Sequence, residues 1–481
     1  MNRRMVAFIV GCVLLIEAGL MLFPMLIGLC YHESSAWITL LSAGIAAVLG
    51  GLLILLKPAN TGIYAREGFV ATALSWLAMS AVGALPFYLT GQIPSYLDAV
   101  FETVSGFTTT GASILTNVEA MDYGLRFWRS LTHWVGGMGV LVFMLAVLPM
   151  AGGQNLHLMR AESPGPTVGK LVPRLRETAI WLYGIYFALS LICFLLLVLG
   201  RMPAFDAACL TFGTAGTGGF GVLNSSFADY SLYCRIVVTV FMLLFGMNFN
   251  LYYLLLLHRF RDALAMEEIR WYLVIYFAAV AGILINLKCA GMLGTQAGAS
   301  DVFFSVSSVM TTTGYATADF NLWPSLSRTI LVMIMFTGGC AGSTGGGLKV
   351  SRWVLYIKGI AREFRRLTHP RSVRNVRMDG KTVEEAVLHT TFVYMSIFVV
   401  IFAVSVLVLA ADGNDLTTNF TAVAATFNNI GPGLNLVGPT GNYSMFAWYS
   451  KCVLIFDMLA GRLEIFPMMI LLLPSTWARH S

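Results

Sequence analysis

Short runs of hydroxyl side chains followed by glycine recur in a chain that is otherwise strongly apolar. Residues 108–112 read TTTGA, and residues 311–315 read TTTGY. A single run of this kind is more often a turn or a helix contact in a membrane protein. Two further segments align with these runs without gaps, and that periodicity indicates a repeated structural unit. The four aligned glycines are Gly111, Gly219, Gly314 and Gly431.

Each of these glycines and the two residues before it carry no charge, so their usable ligands are backbone carbonyls and threonine hydroxyls. The twelve residues are Thr109, Thr110, Gly111, Thr217, Gly218, Gly219, Thr312, Thr313, Gly314, Asn429, Ile430 and Gly431. Glycine permits backbone angles that turn successive carbonyls toward one axis. Carbonyl rings can replace the hydration shell of an ion, whereas an anion site needs cationic side chains and a calcium site needs carboxylates. The segments therefore predict a site for a desolvated monovalent cation.

A fairly apolar segment that is too short to cross a membrane leads into each glycine. Thirteen residues before each glycine stands a residue type that favours helix N-caps, which predicts N-caps at Asp98, Asp206, Asp301 and Thr418. We expect a re-entrant half-helix of about two to three turns, whose partly negative C-terminal end points at the loop. Each following helix begins with a basic residue, and a glycine comes ten or eleven residues later. The pairs are Arg129 and Gly139, Arg235 and Gly246, Arg328 and Gly338, and Lys451 and Gly461.

The composition places these elements in a lipid bilayer. Of 481 residues, 57% are hydrophobic and 11% are charged, against about 25% charged in soluble domains. The mean hydropathy is +0.76. Ten apolar runs are long enough to span, and the first exceeds the h-region of a signal peptide. They lie near 5–30, 36–56, 69–90, 125–150, 178–200, 232–257, 271–293, 325–345, 387–411 and 446–473.

The predicted fold is an all-α polytopic membrane protein with four pseudo-symmetric helix–pore-loop–helix repeats around a central pore. Two extra transmembrane helices precede the repeats, which gives about ten spanning helices and four half-helices. The predicted boundaries are a two-helix extension at 1–56, repeats at 57–150, 151–258, 259–348 and 387–481, and a basic cytoplasmic segment at 349–386. No CxxC pair occurs among the eight cysteines, which argues against disulfides or a zinc site.

The distribution of lysine and arginine predicts the orientation, with both termini in the cytoplasm. Basic residues cluster on one side of the predicted membrane, and acidic residues dominate the other. The basic loop residues are Lys57, Arg66, Arg160, Lys170, Arg174, Arg176, Arg259, Arg261 and Arg270, followed by the ten Lys and Arg residues of 349–386. The net charge of +6 therefore reflects membrane topology rather than nucleic-acid binding.

A second glycine-rich stretch, GGCAGSTGGG at 338–347, cannot form a stable helix interior, because each glycine costs roughly 1 kcal/mol relative to alanine. Irregular backbone at membrane depth must line a cavity or be buried in protein. It is not a P-loop, since no GK[ST] follows. Arg462 is a charge inside an apolar run, which is a functional hypothesis by default. It either pairs with Glu464 or a carbonyl, or acts as a cation barrier. His133 is expected to be a hydrogen-bonded core histidine, and His157, Arg160 and Glu162 to be solvated.

The motifs GFTTTGAS, GTGGFG, TTTGYA, NNIGPG, GGCAGSTGGGLK and AGRLEIFP resemble the Trk/Ktr/HKT superfamily of potassium transporters, and within it the bacterial TrkH and TrkG type. The resemblance spans nearly the whole chain. It implies a potassium filter made by the four loops, in which Gly111 favours potassium over sodium. The second loop departs most from the Thr-rich pattern. The resemblance also implies an intramembrane gate formed by Gly338, Gly339, Gly342, Ser343, Thr344, Gly345, Gly346, Gly347, Lys349 and Arg462.

The same resemblance implies potassium as the transported ion, no bound organic cofactor and a location in the bacterial inner membrane. It further implies a homodimer and a cytosolic nucleotide-binding regulatory ring. The chain has no dinucleotide fingerprint of its own, so any nucleotide sensing must be external. The basic segment 349–386 could instead bind anionic lipid headgroups. The alternative function is a symporter that couples Na⁺ or H⁺ to potassium, with Glu17 and Glu464 as candidate carboxylates. Two other classes are disfavoured. A membrane enzyme would need clustered His, Asp or Glu at one depth, and the apolar runs show no such cluster. A passive scaffold would not need four half-helices.

Overall fold

The computed structural model describes residues 1–56, 64–139, 175–295, 297–369 and 375–477. The first half of the described chain contains α1 Arg3–Leu20, α2 Leu22–Cys30, α3 Ser35–Leu55, α4 Ala65–Gly83, α5 Leu85–Leu89, α6 Tyr96–Phe107, α7 Tyr123–Met138, α8 Leu175–Leu199, α9 Ala204–Gly216, α10 Leu232–Gly246, α11 Phe249–Leu256 and α12 Phe260–Ala265. The second half contains α13 Glu267–Cys289, α14 Ala299–Met310, α15 Ser325–Met335, α16 Val350–Thr368, β1 Arg377–Met378, β2 Lys381–Thr382, α17 Glu385–Leu409, α18 Leu416–Phe427, α19 Trp448–Arg462, α20 Phe466–Leu472 and α21 Pro474–Trp477.

Several sequence predictions fall on residues outside these ranges. The second half of the predicted span 125–150 and the boundary near 150 are among them. The side chains concerned are Lys57, His157, Arg160, Glu162, Lys170, Arg174, Arg371 and Arg374.

Six apolar spans are long enough to cross a membrane in the part of the chain that the structure describes, and they confirm six of the predicted runs. They are Arg3–Cys30, Ser35–Leu55, Ala65–Leu89, Ile180–Leu199, Glu267–Cys289 and Glu385–Asp412. Large apolar side chains on these helices remain exposed, such as Leu52, Leu195 and Val400. Because such side chains are stable in hydrocarbon rather than in water, α3, α8 and α17 form part of the lipid-facing periphery, whereas the span Ala65–Leu89 is mostly buried.

Continuous spans were expected over 232–257 and 446–473, and this expectation was wrong, whereas the break after α15 was expected from the glycine-rich stretch. Helices α10 and α11 meet at 90°. Helix α15 has only 11 residues, and α19 ends at Arg462 before α20 begins at Phe466. Hydropathy counts apolar letters but does not register a glycine break. The glycine found ten or eleven residues after the basic residue lies close to each helix end, as with Gly139, which caps α7.

Four half-helices, α6, α9, α14 and α18, precede the glycine loops, as predicted. Each has 12 or 13 residues, roughly 18–20 Å at 1.5 Å per residue, so none can cross the bilayer. The predicted N-cap positions were wrong by one turn. The N-cap residues are Ser95, Pro203, Gly298 and Asp415, whereas Asp98, Asp206, Asp301 and Thr418 are the third helical residues. Acidic side chains are also favourable within a first turn, so sequence spacing alone did not separate the two positions.

The N-terminal helices reach the first half-helix through α4. Gly11 of α1 and Gly50 of α3 allow close contact, because a Cβ on either would lie 2.8 Å from the other's carbonyl oxygen. Small residues at such crossings are the usual means of packing membrane helices. Helix α1 also packs on α4, and α4 on α6, in one buried apolar cluster that includes Trp76, Phe101 and Phe107. The extension therefore supports the first half-helix from behind.

Candidate functional site

The four half-helices end in the same hydrogen-bond pattern. In the first, the N–H of Thr109 donates to the carbonyl of Gly106 at 3.0 Å, and the N–H of Thr110 donates to that of Ser105 at 2.9 Å. The same two bonds, at the same offsets, end the other three. They run from Thr217 to Thr214 and Gly218 to Gly213, from Thr312 to Val309 and Thr313 to Ser308, and from Asn429 to Thr426 and Ile430 to Ala425. This is the Schellman pattern of a helix C-terminus, so the four loops leave their half-helices with one shared geometry.

The backbone angles of the four loops also match. The residue two before each glycine has a positive φ of 54–58°, and these residues are Thr109, Thr217, Thr312 and Asn429. The glycines themselves have φ values of 78–96°. The residue between them is not among those with positive φ, so the sign of φ alternates along each loop. Alternation of this kind turns consecutive peptide groups toward one side of the chain. The glycine is needed because few L-residues adopt such angles with a Cβ.

The four loops contact one another in a closed cycle. A Cβ built on Gly111 would overlap the carbonyl oxygen of Gly218 in the second loop. In the same way, a Cβ on Gly219 would overlap the carbonyl oxygen of Thr313, and a Cβ on Gly314 would overlap that of Ile430. The cycle closes where a Cβ on Gly431 would lie 2.7 Å from the Thr110 oxygen. Each glycine thus faces the carbonyl of the residue before the next glycine, so the structure brings all four predicted glycines together at one level.

The threonine hydroxyls of the loops mostly serve the loops themselves. Thr108 and Thr110 share a hydrogen bond of 2.8 Å between their hydroxyls, and Thr311 and Thr313 do the same at 2.8 Å. The Thr217 hydroxyl donates to its neighbour's carbonyl at 2.6 Å. These side chains fix loop shape, so the backbone carbonyls are left as the principal oxygen ligands that the loops can offer.

The glycine-rich stretch 338–347 packs against the inner ends of the half-helices. Its Gly346 N–H donates to the Thr312 hydroxyl at 2.6 Å, which joins the stretch directly to the third loop. Its Cys340 N–H donates to the Gly246 carbonyl at 2.8 Å, at the break between α10 and α11. The segment is non-helical from the end of α15 to the start of α16, as its composition predicts. The stretch therefore lies between the third loop and the α10–α11 break.

Glu268 holds this stretch, and the sequence reasoning missed it. One carboxylate oxygen of Glu268 accepts hydrogen bonds from Ala341 N–H at 2.6 Å and Ser351 N–H at 3.1 Å. The other oxygen accepts from the Asn248 amide at 3.3 Å. Glu268 therefore ties the stretch, at Ala341, and the start of α16, at Ser351, to the α10–α11 break. Its only sequence signal is a carboxylate at the start of an apolar helix, which also fits an ordinary charged first turn.

Arg462 joins three elements around the same space. Its guanidinium donates to the carbonyls of Thr344 at 2.7 Å, Gly136 at 2.5 Å and Gly137 at 2.6 Å. From the sequence, either Glu464 or a backbone carbonyl was expected as the structural partner of Arg462, and the structure shows the carbonyls. Glu464 is instead paired with Arg352, whose guanidinium lies 3.9 Å from the ring centre of Tyr394. A buried cation thus stands between the end of α7 and the glycine-rich stretch. Lys349, two residues after this stretch, is buried too and donates to the Gly345 carbonyl.

The outer ends of the half-helices carry ion pairs and caps. Lys451 Nζ lies 2.7 Å from a carboxylate oxygen of Asp98, and Arg235 lies 3.5 Å from Asp301. Asp415 caps α18, and hydrogen bonds from Thr418 hold the pKa of its carboxyl below the ordinary value. Lys451 and Arg235, two of the basic residues predicted to begin the helices after the loops, therefore each bind the half-helix of the next repeat.

His133 is buried and hydrogen-bonded, as expected. Its Nδ1 lies 2.8 Å from the Gly106 carbonyl, and its Nε2 accepts the Phe220 N–H at 3.2 Å. A second residue missed by sequence reasoning lies beside it. Glu102 is fully buried in α6 and is paired with Arg129 at 2.5 Å. The available signal was a carboxylate in an apolar half-helix, a position that marks function by default.

Comparisons with known proteins agree with this geometry. A family model described as TrkH, cation transport protein, matches residues 38–478. The Trk system potassium uptake protein TrkH of Escherichia coli K12 is 35% identical over 99% of this chain and 100% of its own length. TrkG of the same strain is 31% identical over 98% of each chain. The crystal structure of the potassium transporter TrkH from Vibrio parahaemolyticus superposes with a TM-score of 0.85 at 30% identity, covering 99% of this chain and 100% of that one.

Proposed function

The chain belongs to the TrkH family of cation transport proteins, and from that premise we propose that it takes up potassium through the ring of its four glycine loops. The observation that carries the proposal is the closed cycle in which each glycine meets the carbonyl of the next loop. A ring of carbonyls suits a desolvated monovalent cation, because it supplies partial negative charge without a carboxylate. The relatives named as potassium uptake proteins match along their full length, which supports potassium as the ion.

The helix dipoles add to this preference. The four half-helices point their C-terminal ends, where unsatisfied carbonyls concentrate, at the loops. The twelve ring residues are uncharged, so a divalent cation would find none of the carboxylates it prefers and an anion would find no cationic side chain. Both features favour a cation of single charge.

The glycine-rich stretch is the proposed gate. It touches the third loop at Thr312, and Arg462 holds it through Thr344. In this arrangement a guanidinium would oppose a cation that leaves the ring toward the cytoplasm, and backbone rich in glycine would allow the stretch to move aside. Opening would then require Arg462 to leave the carbonyls of Gly136, Gly137 and Thr344.

Coupling to a second ion is the alternative. Of the two candidate carboxylates, Glu464 is bound to Arg352, whereas both oxygens of the buried Glu17 have no hydrogen-bond partner within the described residues. A buried carboxyl without hydrogen-bond partners inside a spanning helix is the observation that supports coupling to a second ion. Reversal potentials that follow the potassium gradient alone would exclude coupling, and a shift with a proton or sodium gradient would favour it.

The remaining proposals concern location and partners. The relatives are bacterial, and the basic side of the chain carries α16, so we place the chain in the inner membrane with both termini in the cytoplasm. The exposed arginines Arg365 and Arg366 on α16 offer a docking site for a cytosolic nucleotide-binding ring. A homodimer is proposed from the family resemblance. Co-purification of the full chain with such a subunit, and its loss when both arginines are changed to Glu, would test the docking site.

The filter assignment is tested by a pair of glycine variants. Gly111 and Gly91 share a positive φ of 78° and 73°, but only Gly111 faces another loop, whereas nothing lies within 4 Å of a Cβ on Gly91. Both alanine variants carry a similar backbone strain of about 1–2 kcal/mol. We predict that G91A rescues growth of a potassium-uptake-deficient bacterium on low potassium and that G111A does not, at equal membrane abundance. Full rescue by G111A would contradict the assignment.

A further inference from the structure

A buried ion pair stands behind the first two loops, although the repeat pattern does not require it. Glu102 lies nine residues before Gly111, where the other repeats have the uncharged residues Leu210, Ser305 and Ala422. Glu102 and Arg129 are 1% and 4% exposed. Removing two charges from water costs free energy that their attraction offsets only when further hydrogen bonds satisfy both groups. The groups that hydrogen-bond to this ion pair therefore indicate which parts of the structure it holds in place.

The carboxylate of Glu102 holds the segment that leaves the first loop. It accepts hydrogen bonds from the Ser113 hydroxyl at 2.9 Å and from the Ile114 N–H at 3.0 Å. These residues follow Gly111 by two and three positions. Half-helix α6 is thereby tied to the chain on the far side of its own glycine, so the carboxylate limits how far the first loop can open.

The guanidinium of Arg129 holds the segment that leaves the second loop. It donates to the Gly221 carbonyl at 3.1 Å, and its central carbon lies 3.5 Å from the ring centre of Phe220. Cation–π contact of a desolvated guanidinium adds to the hydrogen bond. His133 joins the same residue from the other side, because it accepts the Phe220 N–H. Since Nε2 is the acceptor, the imidazole proton sits on Nδ1 and is donated to the Gly106 carbonyl.

Glu102, Arg129 and His133, here named the loop brace, thus connect both sides of Gly111 in the first loop with the residues that follow Gly219 in the second. At the depth of the loops, hydrogen bonds across the other junctions join neutral groups, such as the Tyr315 hydroxyl with the Leu210 carbonyl and the Tyr443 N–H with the Ser113 carbonyl. The ion pairs at those junctions, Arg235 with Asp301 and Lys451 with Asp98, lie at the outer ends of the half-helices instead. The junction between the first two loops is therefore held by charge in a low-dielectric setting, where such contacts are stronger than neutral ones.

We propose that the loop brace is a selectivity-determining positioning unit, which sets the separation of the first and second loops and so the size of the carbonyl ring. The inference rests on the proposed potassium function of the ring. A carbonyl ring discriminates between potassium and sodium only if its oxygens keep their spacing or their number around the ion. Releasing one junction of four lets the ring contract around sodium, which lowers selectivity before it abolishes conduction.

The test compares reversal potentials of the full chain in lipid vesicles under opposed potassium and sodium gradients. A reversal potential does not depend on how many molecules are folded, so it separates selectivity from stability. We expect Glu102→Gln, which keeps size but removes the charge, to lower the potassium-to-sodium permeability ratio about fivefold to tenfold, which is less than the loss of one whole charged hydrogen bond would cause. Arg129→Lys keeps the charge and should restore part of the ratio that Arg129→Gln loses.

Two further variants keep the test decisive. Ser113→Ala removes one hydroxyl donor to Glu102 and should lower the ratio in the same direction by a smaller factor, even if Glu102→Gln does not fold. Glu385→Gln breaks an exposed cytoplasmic ion pair with Arg362 and should leave the ratio unchanged. An unaltered ratio in Ser113→Ala, or in a conducting Glu102→Gln, overturns the proposal. If the unaltered chain shows no preference for potassium, the proposed function itself fails instead.

Discussion

At the scale of single residues, position relative to the ring decides what each glycine or charge does. Gly111 and Gly91 have nearly equal φ values, yet a Cβ on the first meets a carbonyl and on the second meets nothing. Arg462 and Arg352 are both buried arginines near the glycine-rich stretch, yet Arg462 binds carbonyls of two other elements and Arg352 binds a carboxylate. Arg462 therefore bridges α7 and the glycine-rich stretch, which places its charge beside the proposed cation path.

The role of Arg462 can be divided between its charge and its hydrogen bonds. We predict that Arg462→Gln raises ion flux into vesicles at least roughly tenfold, which corresponds to about 1.4 kcal/mol and is less than one charged hydrogen bond contributes. Arg462→Lys keeps the positive charge and should stay near the flux of the unaltered chain.

Flux measured at equal reconstituted amounts distinguishes the outcomes. If Arg462→Lys conducts as well as Arg462→Gln, the three carbonyl contacts rather than the charge keep the passage closed. If neither variant conducts more than the unaltered chain, Arg462 is structural, and the assignment of the gate to this residue is wrong.

At the scale of elements, the break in each helix after a loop matters as much as the loop. Near the end of α7, Gly136 lies so close to the first half-helix that a Cβ would overlap the Phe107 carbonyl oxygen. Near the end of α19, a Cβ on Gly461 would likewise overlap the Phe427 carbonyl oxygen of the fourth half-helix. The α10–α11 break supplies the Gly246 carbonyl and Asn248, which hold the glycine-rich stretch. Broken helices therefore shape the space below the ring.

The role of Glu268 in holding the glycine-rich stretch can be tested with Glu267, the preceding residue on α13, as a matched control. Glu268→Ala leaves the N–H groups of Ala341 and Ser351 without their acceptor, at about 1–3 kcal/mol for each buried group. We predict that hydrogen exchange of residues 339–351 becomes about tenfold faster or more. Glu267→Ala on the same helix loses only its partly exposed pair with Lys358 and should leave that exchange unchanged. Equal protection in both variants would show that Glu268 does not hold the stretch.

The sequence allowed the loops to be predicted well, because glycine and hydroxyl residues at fixed spacing reflect a local backbone requirement. The half-helices followed from the same spacing, although their first turns begin three residues earlier than Asp98, Asp206, Asp301 and Thr418 suggested. Long-range partners could not be predicted. Nothing local in the sequence connects Glu268 with Ala341, or Arg462 with Gly136, since these contacts depend on how distant helices pack.

At the scale of the whole molecule, the chain surrounds one ring with a lipid-facing shell. Long helices such as α3, α8 and α17 expose apolar side chains, while the half-helices are largely buried. The outer ion pair of Lys451 with Asp98 closes the cycle between the last and first repeats, just as Gly431 meets Thr110 at the ring. The cycle is therefore closed at two depths, and the cation path that we propose runs along its axis.

The central claim is that this ring passes potassium in preference to sodium. The most direct measurement is uptake of radioactive rubidium into vesicles that contain the purified full chain or its Arg462→Gln variant, with potassium or sodium as competitor. The account predicts that external potassium suppresses uptake at concentrations where sodium has no effect. Equal suppression by both ions, or no uptake by either protein, would contradict it.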